Sequence, residues 1–117
     1  MDYDFAQATK APPAIVATVP VVCGFKPVAA NTPEARTEVE TALKLIRTVG
    51  EMETTDLSNP ETVSVERQVV AGTNYRVTVQ VGPAGDRHQI RVDYFKDLKG
   101  AVRLKQVYFD NEAIMGT

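Results

Sequence analysis

Apolar residues recur along this chain in two rhythms, first one helical stretch and then a series of alternating runs. In the helical stretch Ala35, Val39, Ala42, Leu43, Ile46 and Val49 fall at three- and four-residue spacing, with Arg36, Glu40, Lys44 and Arg47 on the other side. Thr32 is placed to cap it, Pro33 suits the first helical position, Glu34 favours the positive end of the dipole, and Gly50 is placed to stop it. The spacing predicts an amphipathic helix about 25 Å long, enough to cross a sheet of about four to five strands.

The alternating runs follow a polar, acidic connection at 51–60. In the first, 62–69, Val63, Val65 and Val69 alternate with Ser64, Glu66 and Gln68, while Arg67 falls on the apolar phase and is expected to snorkel at a sheet end. In the second, 75–81, Tyr75, Val77, Val79 and Val81 alternate with Arg76, Thr78 and Gln80. Turn formers fill 82–86, and His88, Ile90, Val92 and Tyr94 form the third run. In the fourth, 102–109, Leu104 and Tyr108 share a phase with Gln106, whereas Val107 and Phe109 share the other, which predicts a bulge. The tail, 110–117, has few strand formers. Alternation of this kind means one buried and one wet face, and the helix is the only cover available. The predicted class is therefore α+β, an antiparallel sheet of about four to five strands wrapped around one long helix.

The connection between the first two runs is unusual. At 68–72 the chain reads Gln68-Val69-Val70-Ala71-Gly72, so small residues sit where the hairpin must reverse. Gly72 can take a positive φ without a Cβ clash, and Asn74 tolerates unusual backbone, which allows a narrow turn. Adjacent strand residues point to opposite faces, so one of Val69 and Val70 is expected in the sheet and the other towards solvent. A narrow, uncharged, partly apolar loop is a poor surface for water and a good shape for a cleft.

Composition narrows the possibilities. A chain of 117 residues fits one domain, here 21–117, preceded by a Pro-rich, aperiodic leader at 1–20. Net charge is −2 with 24% charged residues, and the Lys and Arg residues are interleaved with acids, so no nucleic-acid footprint is predicted. No apolar run approaches the roughly 18 residues of a membrane span, and the two early acids give the wrong charge order for a secretory signal. His88 is the only histidine and Cys23 the only cysteine. With no nucleophile–base–carboxylate set and no ligand spacing, neither a catalytic residue, a metal nor a cofactor is predicted. A lone cysteine rules out an internal disulfide and suits a reducing, cytoplasmic setting. Cys23 itself reads as an apolar residue, a site for an intermolecular disulfide, or a plain thiol, with the first favoured because no activating partner lies near it in sequence.

Q-V-V-A-G at 68–72, with T-N-Y behind it, resembles the first inhibitory hairpin of the cystatins, protein inhibitors of papain-like cysteine proteases, and most of all the disulfide-free stefin branch. The resemblance implies a cystatin-like fold that occludes a protease cleft reversibly and competitively with three segments. Gly24 matches the glycine from which an extended trunk crosses the cleft, with Val21, Val22 and Cys23 as that trunk; the leader before them is longer than a typical stefin trunk. Gln68, Val69, Val70, Ala71 and Gly72 form the second segment. The third is the hairpin at 96–101, where Leu98 keeps the family's apolar residue and Lys99 replaces its proline, a change expected to loosen the loop. Implied partners are papain-like proteases, with no nucleic acid and no membrane. The alternative is a cystatin-fold binding or scaffold module that does not inhibit. Adjacent valines in a tight reversal also predict a monomer able to exchange strands into a domain-swapped dimer.

Overall fold

A computed structural model describes residues 24–116, with side chains described to Ile114; the leader and the expected trunk residues Val21, Val22 and Cys23 lie outside them. The helix starts as its sequence predicts. Thr32 Oγ1 accepts from the Ala35 N–H at 3.2 Å, and Pro33 opens α1, Pro33–Ile46. It ends before Gly50, where the sequence places its stop. The Thr48 hydroxyl donates to the Leu45 carbonyl at 2.6 Å, competing with helical continuation, and a 3₁₀ turn follows at Gly50–Met52. Ala35, Ala42 and Ile46 are fully buried, and beyond the helix Val49 and Met52 tuck into the same core.

The strands are β1 (Lys26–Pro27), β2 (Glu61–Val70), β3 (Gly72–Val81), β4 (His88–Lys96), β5 (Val102–Phe109) and β6 (Glu112–Gly116). They form one antiparallel sheet in the order of the chain. One helix packed on this sheet is the α+β arrangement predicted, and it is consistent with a cystatin-like fold. With six strands the sheet is broader than the four to five expected, because each edge gains a segment. At one edge Lys26 and Pro27 lie opposite Arg67 and Glu66. At the other, Asp110 and Asn111 take positive φ (49° and 71°) and return the tail as β6. That two-residue reversal is a hairpin device that Asp and Asn support, and it makes a strand of a tail with few strand formers.

The inner face carries Val65, Tyr75, Val77, Val79, Val81, Ile90, Val92, Tyr94 and Val107 against α1. Two irregularities change the simple alternation. A register shift between Thr62 and Ser64 takes Val63 out of the inner phase, and it is half-exposed where the sequence pattern places it inside. Across β4 and β5, Asp93 faces Gln106 and Tyr94 faces Leu104, so Lys105 is the extra residue of the predicted bulge.

The helix–sheet contact is not purely apolar. Glu38 is 3% exposed, and its carboxylate accepts from the Tyr94 hydroxyl at 2.6 Å and from Lys96 Nζ at 2.5 Å. One turn earlier, Glu34 accepts from Arg67 Nη1 at 2.5 and 2.6 Å and from the Tyr75 hydroxyl at 2.9 Å. The Tyr75 and Tyr94 rings stack at 5.5 Å between them. Burial and then the neighbouring glutamates push both phenols up, so they stay protonated donors. Burial alone would raise Glu34, yet the hydrogen bonds from Arg67 and Tyr75 outweigh it and hold the carboxyl below its usual value. Arg67 therefore reaches the end of the sheet as an ion pair to the helix.

Replacing Glu38 by Ala leaves the Tyr94 hydroxyl with only the residue 38 carbonyl at 3.2 Å and the Lys96 ammonium without its carboxylate, beside a small void. We expect a loss of about 2–3 kcal/mol, read as a lower urea midpoint with an unchanged slope.

Candidate functional site

Register places both turns at one end of the sheet. Val70 faces Gly72, Thr73 faces Lys96, and Lys96 faces Val102, so the β2–β3 and β4–β5 turns are neighbours. β1 runs antiparallel to β2 with Lys26 opposite Arg67, which brings the chain entering it to the same end. Gly24 there lines a shallow cleft with Lys26, Pro27, Arg67 and Val69. Of the predicted contact residues, Gly24, Gln68, Val69, Val70, Ala71, Gly72, Leu98 and Lys99 thus gather on one edge.

The first turn is as tight as the small residues suggest, with Ala71 alone lying outside both strands. Gly72 is required twice over. Its φ is +114°, and a Cβ there would lie 2.5 Å from Phe95 Cζ and 2.8 Å from the Lys96 carbonyl oxygen. The turn is therefore pressed against the end of β4. Asn74 has another role than the backbone tolerance expected of it. It sits within β3, where its Nδ2 donates to Gln68 Oε1 at 2.9 Å and its Oδ1 accepts from Lys105 Nζ at 3.3 Å. These bonds brace the turn across three strands.

The expectation that one of the two valines is buried does not hold. Val69 is 69% and Val70 51% exposed. Val69 lies on the inner phase of β2, but α1 begins at the level of Arg67, so none of the described residues covers the strand beyond it. Leu98, at 83%, completes the uncovered apolar set.

The second turn differs from what its missing proline predicts. Asp97 Oδ1 accepts from the N–H groups of Lys99 and Ala101, both at 2.9 Å. The Asp97 N–H donates to the Ala101 carbonyl at 2.9 Å, and Gly100, at φ +94°, donates back to the Asp97 carbonyl. An Asx-type closure thus replaces the rigidity a proline supplies. The D-x-x-G spacing of Asp97 and Gly100 is the signal that reveals it. Phe25 roots the chain at Gly24, since the Arg76 guanidinium lies 4.1 Å from its ring centroid on the outer face of the sheet.

Among the described residues, reactive chemistry does not gather on this edge. The outer-face cleft bounded by Phe25, Arg76, Asp93, Lys105 and Tyr108 holds no nucleophile–base pair. Among the described residues no group of three His, Cys, Asp or Glu is arranged to hold a metal ion, and no helix is long and apolar enough to cross a membrane. His88 lies at the far end of the sheet. Its Nδ1 is 2.8 Å from Asp110 Oδ2, its Nε2 3.1 Å from Asp86 Oδ1, and its ring stacks on Phe109. The bond to Asp110 raises its pKa, with the charges of both aspartates adding. Asp110 is lowered by the Gln89 N–H and then by His88.

Two outcomes are expected. Gly72→Ala costs about 1–3 kcal/mol by thermal unfolding, with amide shifts at Phe95 and Lys96. By NMR, His88 titrates above 6.5 and returns towards it in Asp110→Asn. The His88 contribution is complete below 6.5 and fades as pH rises through the folded value, whereas that of Asp110 is complete above 3.8 and fades as pH falls through its folded value. The clasp is thus fullest between the two.

No protein-family model matches the chain, and no curated protein is significantly similar to it.

Proposed function

We propose that this chain is a stefin-like cystatin, a reversible, tight-binding, competitive inhibitor of papain-like cysteine proteases, acting as a monomer in the cytoplasm. The observation that carries the reading is the meeting of three sequence-distant segments on one edge. The chain at Gly24, the turn at 68–72 and Leu98 share an end of the sheet, where Val69, Val70 and Leu98 are exposed. An apolar patch left open next to two hydrogen-bonded turns suits docking better than it suits solvent.

The physical sequence of events is short. The edge enters the cleft as a wedge, Val70 and Leu98 lose their water, and the catalytic cysteine and histidine of the enzyme are covered from both sides. No peptide bond of the inhibitor is placed for attack, so the complex dissociates intact. Turns closed by Asp97 and braced by Asn74 give up little freedom on binding, which keeps the ordering cost low. An interface of about 800 Å² per partner is sufficient when its central contacts are good.

Titration of papain or a cathepsin with the protein tests the reading. Activity is expected to fall stoichiometrically, while a serine protease is unaffected. Val70→Asp and Gly24→Trp each raise the inhibition constant by about tenfold or more, equivalent to about 1.4 kcal/mol, without lowering the melting temperature. Full protease activity at excess protein would overturn it.

A further inference from the structure

Charge is distributed unevenly along the sheet, and the pattern follows from which carboxylates are already engaged. At the wedge end Glu34 is taken by Arg67, Glu38 by Lys96, and Glu66 by Arg76 at 3.7 Å. Asp97 spends its carboxylate on the backbone of its own turn. Lys26, Lys99 and Arg103 are exposed at the same end and have no ion-pair partner among the described residues. Lys26 stands beside the cleft at Gly24, Lys99 follows Leu98 in the second turn, and Arg103 lies opposite Phe95 with its guanidinium over that ring at 5.7 Å. The opposite end carries Glu61, Asp86, Asp110 and Glu112 against Arg87 and His88. Among the described residues the apolar wedge therefore stands inside a rim where Lys26, Lys99 and Arg103 outnumber Asp97, although the net charge of the chain is −2.

We infer that this rim selects among targets: the partner is a papain-like protease whose cleft margins are acidic, and Lys26, Lys99 and Arg103 set the rate at which the two meet. This rests on the inhibitor reading above and adds the charge of the partner to it. The apolar wedge gives contact energy that is insensitive to salt. The rim lies outside it, in water, where ion pairs add little to affinity but orient the encounter. A negative charge at the far end assists by turning the wedge towards an acidic cleft. Such steering acts over the Debye length, about 30 Å at 10 mM ionic strength and about 8 Å at physiological strength, so its signature is an association rate that falls with salt.

The test is stopped-flow association with two papain-like proteases, one with acidic and one with basic cleft margins, at low and at physiological ionic strength. With the acidic enzyme we expect association to slow about tenfold or more as salt rises, and the basic enzyme to show a flat or opposite trend. The double variant Lys26→Glu/Arg103→Glu slows association with the acidic enzyme about tenfold at low salt, changes dissociation less than association, and keeps the parent melting temperature. Association with the acidic enzyme that ignores salt, or a double variant that acts on dissociation alone, overturns the inference while inhibition stands. Absence of inhibition of both enzymes at either salt overturns the inhibitor reading and this inference together.

Discussion

The carboxylates of Glu34 and Glu38, one turn apart on the helix, hold the rest of the molecule in place. Each reaches the sheet through one base and one tyrosine, and the two tyrosines stack on each other. A buried carboxylate such as that of Glu38 is costly when unpaired, and both it and the partly exposed Glu34 are engaged by donors from two directions. The apolar core of valines would tolerate sliding of the helix along the sheet. Directional bonds to Arg67, Tyr75, Tyr94 and Lys96 do not, so they set where the helix lies.

That position decides the shape of the wedge end. Arg67 immediately precedes the 68–72 turn, and Lys96 is the last residue before the second turn, so the same bonds that dock the helix fix the roots of both. Because the helix starts level with Arg67, the sheet overhangs it and Val69 stays exposed, while Val70 on the opposite face and Leu98 in the second turn are exposed beside it. The charge pattern has the same origin. Glu34 and Glu38 are paired in the helix–sheet bonds and Asp97 is turned onto the N–H groups of its own loop, so Lys26, Lys99 and Arg103 outnumber it around the apolar edge.

Much of the fold was legible residue by residue. The Thr32 cap, the inner phase of β3, the tight turn at Gly72 and the irregularity of the last long run all follow from rules that involve neighbours in sequence. Other features were not. Glu38 stands at apolar spacing, three residues after Ala35 and four before Ala42, and only the arrival of Tyr94 and Lys96 from far along the chain makes burial of its charge tolerable. Val63 reads as core until the register shift beside it is known. The tail becomes a strand because β5 offers it an edge, an interaction that no local propensity records.

By itself, the sequence determined the helix, the four long strands, the tight reversal at Ala71-Gly72 and the α+β class, because periodicity and backbone sterics act within a few residues. Only the tertiary structure decided that the turns and the chain at Gly24 share one edge, and that both valines stand bare on it. Those outcomes depend on strand register and on how far the helix extends over the sheet, and both are set by contacts between residues dozens of positions apart.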